Sequence, residues 1–166
     1  MLVQSLTIRE SQPSDLNAIQ DLCLETFNTD YEARICETLI SDETTPTISL
    51  VAANSNDEIA GHILISEGSC VVPSGLLGPL CVAPQYREFG VGRTLVRRAI
   101  DIAKEQSMHA LFVLGSPMYY GQFGFSSALA DPFESPYQGK NFQALELSEG
   151  ALSGKTGPIT YPRAFD

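Results

Sequence analysis

The spacing between apolar residues changes several times along this chain, and each change marks an element. Residues 6–10, LTIRE, alternate apolar and polar as a short strand does. From residue 14 the period lengthens. Leu16, Ile19, Leu22, Cys23 and Phe27 make one apolar stripe, and Ser14 or Asp15 is available to cap the helix that carries it. A second helical pattern, YEARICETLI, puts Ile35, Leu39 and Ile40 on one face. Two apolar runs, 47–53 and 58–66, flank the turn sequence NSND and read together as a hairpin. Residues 75–83 are a further apolar strand, stopped by Pro84. From 91 to 106 the period is helical again, with Leu95, Val96, Ala99, Ile100 and Ala103 on one face and arginines on the other. Residues 109–115 make another buried strand, SPMYYGQFGF a turn with a short helix, and 142–147 a late strand. The proline-rich stretch 131–140 reads as an ordered excursion loop, and the tail as loop with one helical turn.

Hairpin-joined strands followed by strand–helix–strand crossovers predict an α/β fold with a mixed central sheet flanked by helices. Its early strands are antiparallel and its middle ones parallel. The crossover through helix 91–106 is expected to be right-handed. No repeat and no long linker divides the chain, so residues 1–166 are expected to form a single domain.

Composition narrows the function. Charged residues are 18 % and hydrophobic ones 43 %, which excludes general disorder. No run of about 18 apolar residues spans a membrane, and the amino-terminal MLVQSLTIRESQPSD lacks the basic and apolar segments of a leader. A cytoplasmic protein is the expectation. Cys23, Cys36, Cys70 and Cys81 are too dispersed for a zinc cluster and read as free, mostly buried thiols, so no metal is expected.

A net charge of −10 argues against nucleic acid as a partner. The charges are also separated along the chain. Between Glu10 and Glu43 there are nine acidic residues and one base, Arg34. Between residues 87 and 104 there are five bases (Arg87, Arg93, Arg97, Arg98, Lys104) against Glu88 and Asp101. The acidic stretch is either a rim that gathers a cationic ligand or simply a solvated helical face.

The basic segment opens on VAPQYREFGVGRTL, in which Gly90 and Gly92 lead from strand to helix. Glycine in a forming helix costs about 1 kcal/mol relative to alanine, so the turn needs unusual dihedrals or a close approach to its backbone. The first turn of a helix has unpaired N–H groups and the positive dipole end, which suits a phosphate. Arg87 and Arg93 add charge there and Thr94 a hydroxyl. A phosphate-bearing ligand over residues 87–94 is one reading, and a turn whose glycines only serve packing is the other. The P-loop pattern and the third glycine of a dinucleotide fingerprint are both missing.

At these residues the chain resembles the GNAT superfamily of N-acetyltransferases, whose acetyl-CoA motif is Q/R-x-x-G-x-G/A. Arg87, Gly90 and Gly92 stand at its fixed positions. MYYGQFGF resembles the later family element in which a tyrosine, here Tyr120, precedes a Gly-Phe pair, here Gly124 and Phe125. The spacing and tail look most like the YhbS-like branch, over nearly the whole chain. Glu88 departs from the pattern, since many members carry glycine there, and its carboxylate has to point outward.

The resemblance implies a GNAT-like sheet in which two parallel middle strands splay to admit the pantetheine arm. The donor is then acetyl-CoA, held by Leu80, Cys81, Val82, Arg87, Glu88, Phe89, Gly90, Val91, Gly92, Arg93, Thr94, Ser116 and Tyr120. Pro79, inside the strand pattern, suits a strand about to lose its neighbour, though an edge strand explains it equally well. By the same resemblance the Val82 N–H polarises the thioester carbonyl and Tyr120 protonates the departing thiolate. For the base, Glu67 acting through water is the first candidate, with His62 and His109 as alternatives. Cys81 lies beside Val82, but no neighbouring base or cation activates it, and a small core residue is the plainer reading. The expected reaction is acetyl transfer to a primary amine, in a small molecule, polyamine or peptide, by direct attack in a ternary complex, with a homodimer as the candidate assembly. The rival is a module that binds acyl-CoA without turnover.

Overall fold

The computed structural model describes residues 5–166; the first four residues, part of the stretch read above for a leader, lie outside the described part. The chain divides into two compact units, Met1–Ile65 with Pro79–Ala99, and Ser66–Gly78 with Ile100–Asp166. In chain order the strands are β1 (Thr7–Glu10), β2 (Thr47–Ala53), β3 (Ile59–Gly68), β4 (Ser74–Val82), β5 (Ala110–Leu114), β6 (Phe133–Glu134), β7 (Phe142–Glu146) and β8 (Gly157–Pro158). The helices are α1 (Leu16–Thr26), α2 (Tyr31–Ser41), α3 (Val91–Glu105), α4 (Pro117–Tyr120) and α5 (Ser127–Ala130). Six strands hydrogen-bond in the order β1-β2-β3-β4-β5-β7, and β6 pairs separately with β8. Among the described residues no helix is long and apolar enough to cross a membrane.

In the first unit β1 pairs antiparallel with β2, Ile8 opposite Ala52. The β2–β3 hairpin is closed by Asn54 N–H donating to Glu58 O at 3.0 Å. The apolar stripe of α1 buries Ile19, Leu22 and Cys23, and α2 buries Ala33, Ile35, Cys36 and Leu39. Their opposite faces carry the acidic residues noted in the sequence, which is why the charge pattern and the core pattern interleave. Leu95 and Val96 of α3 are fully buried while Arg93, Arg97 and Arg98 are exposed. Gly61 lets α3 lie close to β3. A Cβ there would meet Leu95 Cδ1 at 3.0 Å and Val91 Cγ1 at 3.2 Å.

In the second unit the start of β4 pairs parallel with β5, Ser74 opposite Ala110 through Leu77 opposite Val113. Strand β7 returns antiparallel on β5. Phe112 stacks on Phe142 at 5.7 Å and meets Phe133 edge-on at 5.6 Å. Val72, Leu76, Leu152 and Ile159 complete that core.

Some expected boundaries move. Phe27 caps α1 in extended conformation instead of extending its stripe. Asp15 stands at the N-cap of α1 without a side-chain cap bond. Its carboxylate instead accepts the Gln12 N–H at 2.7 Å and two bonds from Arg9, at 2.7 and 3.1 Å. His109 precedes β5 instead of opening it, and Gly115 follows it. The excursion loop hides the two-residue strand β6, too short to show a period.

Candidate functional site

The glycine turn is built around the end of β4. Ala83 N–H donates to Ala60 O at 2.8 Å, toward β3. Because peptide groups alternate along a strand, the N–H and C=O of Val82 turn to the other edge of β4. Register with β5 ends at Leu77, so β4 continues for five residues, Gly78 to Val82, past its last partner there. Pro79, without an N–H to donate, falls in this continuation. Side chains alternate likewise: Leu80 and Val82 are partly exposed, whereas Cys81 is buried. Cys81 therefore has its side chain in the core, and its own N–H and C=O, like those of Ala83, turn toward β3.

After β4 a short 3-10 turn, Pro84–Tyr86, redirects the chain. The Tyr86 hydroxyl accepts Asn54 Nδ2 at 3.2 Å, tying this turn to the hairpin. Arg87 Nε donates to Val82 O at 3.0 Å. The arginine expected only to add charge thus also ties the loop back to the strand. Glu88 follows at φ +70° and Gly90 at φ +80°. A left-handed backbone suits glycine and strains glutamate. A Cβ on Gly90 would meet nothing within 4 Å, so the space above its backbone is open to a ligand. Glu88 and Phe89 are exposed, the latter 45 %. Helix α3 begins at Val91, with Gly92 in its first turn and Arg93 exposed beside it. Thr94 Oγ1 donates to Gly90 O at 2.9 Å, so its proton is used within the turn and only its lone pairs face outward.

Tyr120 lies in the second unit, at the end of α4. Ser116 caps that helix, its Oγ accepting Tyr119 N–H at 3.3 Å. The serine expected near the cofactor thus has a local structural task. The Tyr120 ring packs edge-on against Tyr119 at 5.0 Å and Phe125 at 5.8 Å, with Phe123 at 6.4 Å. Gly124, at φ +99°, ends the following turn and delivers Phe125 to this cluster. The Tyr–Gly-Phe motif is an aromatic seat.

The base candidates separate sharply. His62 is fully buried, with Nε2 at 2.9 Å from Ser49 Oγ and Nδ1 without a partner. Burial pushes its pKa down to about 4, so it is neutral at physiological pH and a weak base. His109 is exposed before β5, and Glu67 is exposed near the end of β3. Cys23 Sγ lies 3.9 Å from Cys36 Sγ and 3.5 Å from Cys81 Sγ. Hydrogen bonding to Cys23 and burial push the Cys36 and Cys81 thiols up, which fits inert core residues and not a nucleophile. Among the described residues no group of three or more His, Cys, Asp or Glu side chains is arranged to hold a metal ion.

Comparison with known proteins identifies the family and the fold. Residues 14–125 match the acetyltransferase (GNAT) family. The N-acetyltransferase YhbS of Escherichia coli K12 is 30 % identical over 167 residues, spanning 97 % of this chain and 99 % of the relative. A crystal structure of Escherichia coli YhbS in complex with CoA has a TM-score of 0.90 at 28 % identity, covering 99 % of this chain and 94 % of the other. A GNAT acetyltransferase of Brucella melitensis, solved with acetyl-CoA, has a TM-score of 0.77 at 24 % identity over 99 % of this chain and 100 % of its own, and shares the fold.

Proposed function

The chain belongs to the GNAT family of acetyl-CoA-dependent N-acetyltransferases, and on that premise we propose that residues 1–166 act as one cytoplasmic domain that acetylates a cationic primary amine. What supports this reading most is the run of β4 past its last β5 partner, straight into a loop of open backbone and the amino end of α3. The pantetheine pairs with the free stretch of β4 as an added strand does. The diphosphate lies on the N–H groups around Gly90 and Gly92, with Arg87 and Arg93 beside it.

Transfer follows by direct attack. The amine nitrogen forms a bond to the thioester carbonyl carbon, and the oxygen gathers negative charge. The Val82 N–H donates to that oxygen. The carbon–sulfur bond breaks, the electron pair leaves with sulfur, and the Tyr120 hydroxyl supplies the proton that makes the free thiol. After attack the nitrogen loses a proton that restores the Tyr120 hydroxyl, and before attack the alkylammonium gives up another through water to Glu67. An alkylammonium such as lysine has a pKa near ~10.4, so this removal is required at neutral pH. The acidic residues between Glu10 and Glu43 favour a cationic acceptor by raising its local concentration.

The test is release of free thiol from acetyl-CoA in the presence of a panel of polyamines, lysine-bearing peptides and neutral amines. Thiol release with the cationic members carries the reading. Tight acetyl-CoA binding without thiol release from any amine leaves an acyl-CoA sensor instead.

A further inference from the structure

Gly115 sits between β5 and the cap of α4, and its contacts are unusual for a loop residue. Its N–H donates to Asn141 O at 2.9 Å. Its carbonyl accepts Gln143 Nε2 at 3.1 Å. Gln143, the second residue of β7, is 1 % exposed, a burial that otherwise favours an apolar side chain. Burying a primary amide is unfavourable unless it is hydrogen-bonded, and here its bond is spent on holding one glycine carbonyl. The face of that glycine carries the ring of Tyr120. A Cβ on Gly115 would lie 2.5 Å from Tyr120 Cε2 and 3.0 Å from Cδ2. Gly115 is not among the glycines with left-handed φ, so alanine meets no backbone penalty there. What prevents a side chain at position 115 is the tyrosine ring alone.

We propose that Gly115 and Gln143 are positioning residues for acetyl transfer: the bare Cα of Gly115 seats the Tyr120 ring, and the buried Gln143 amide pins that seat to β7. The proposal rests on Tyr120 as the acid. Carbon atoms pack at about 3.5–4.0 Å, so a methyl group at 115 displaces the ring by on the order of 1 Å. Tyr119 and Phe125 pack against its other sides and set where it can go. A misplacement of about 1 Å costs up to roughly a hundredfold in rate when the displaced group does chemistry, and little when it only fills space at a surface.

The experiment is a double-mutant cycle on Gly115→Ala and Tyr120→Phe, read as kcat for thiol release, KM for acetyl-CoA and CoA affinity by calorimetry. Gly115→Ala is expected to lower kcat about tenfold or more with KM and CoA affinity within about twofold, and to cost less than about twofold in the Tyr120→Phe background. Equal losses in both backgrounds, or no loss beside a crippled Tyr120→Phe enzyme, overturn the seat while leaving the acid in place. A Tyr120→Phe enzyme of full activity overturns the acid itself, a separate outcome. If Gly115→Ala does not fold, Gln143→Leu is put through the same cycle with the same expectations.

Discussion

Asp15 and His62 are buried ionisable side chains that both make the fold less stable as pH falls, Asp15 through its bonds to Arg9 and His62 through burial of the neutral ring. Asp15 is 6 % exposed and accepts bonds from Arg9 and the Gln12 N–H, and the Arg9 guanidinium holds its carboxyl below the usual range. A depressed carboxyl contributes stability above its unfolded value, about 3.9, and loses it as pH falls through the lower folded value. Asp15→Asn is therefore expected to lower stability by about 2 kcal/mol at pH 7. The gap from the parent should close below about pH 4, read as urea midpoints across pH. His62 works in a higher window. It is neutral in the fold, its pKa pushed from 6.5 to about 4 by burial, so unfolding takes up a proton between those values. Parent stability should fall as pH drops from 6.5 toward 4, by at most about 1.4 kcal/mol per pH unit. His62→Gln, which can still meet Ser49, should flatten that slope; an unchanged slope would assign the acid sensitivity to other groups. Neither pairing was legible in the sequence, because Arg9 and Asp15 are both common surface residues and only the fold turns one toward the other.

The elements with long regular patterns were legible and the short ones were not. Helix α3 shows the 3.6-residue period over four turns, and β2 and β3 flank a turn sequence, so local sequence already carries the information. Strands β6 and β8 have two residues each and exist through their pairing with one another, which no local pattern records. The strand-to-helix turn at Gly90 and Gly92, in which Gly90 takes the left-handed backbone, φ +80°, that such a turn requires, was legible from its glycines. The bond from Arg87 Nε to Val82 O was not, since it depends on how the 3-10 turn redirects the chain. Gly115 and Gln143 were missed for the same reason, because their meaning comes from a contact with Tyr120 and a bond across to β7. At the glycine turn the informative position is Glu88, an exposed non-glycine held at φ +70° two residues before Gly90. Glu88→Gln keeps the backbone preference nearly constant and removes the charge. CoA is expected to bind about two- to fivefold tighter at low salt, the effect of one charge near a helix terminus. The gain should shrink at high salt, and calorimetric titration at two ionic strengths reads both.

Across the whole chain the charge is divided by sequence region, with an acidic majority and one cationic segment from Arg87 to Lys104. Arg93, Arg97 and Arg98 are exposed on α3, where a net charge of −10 offers many acidic partners. Among the described residues the ion pairs are Arg9 with Asp15 and Asp57 and Arg34 with Asp30, in other elements. A face of exposed cations suits an anionic ligand. Arg87 and Arg93 serve this face differently, which makes them separable. Arg93→Ala removes charge alone, so it should weaken CoA about fivefold at low salt, with the loss fading toward 1 M, where the Debye length is about 3 Å. Arg87→Ala also deletes the bond to Val82 O, so part of its loss should persist at any ionic strength. Both substitutions should weaken CoA more than analogues lacking the 3′-phosphate or the diphosphate. Equal losses across CoA and its truncated forms would mean that the two arginines shape the loop without touching phosphate, and the ligand would then have to be held by the backbone of the turn alone.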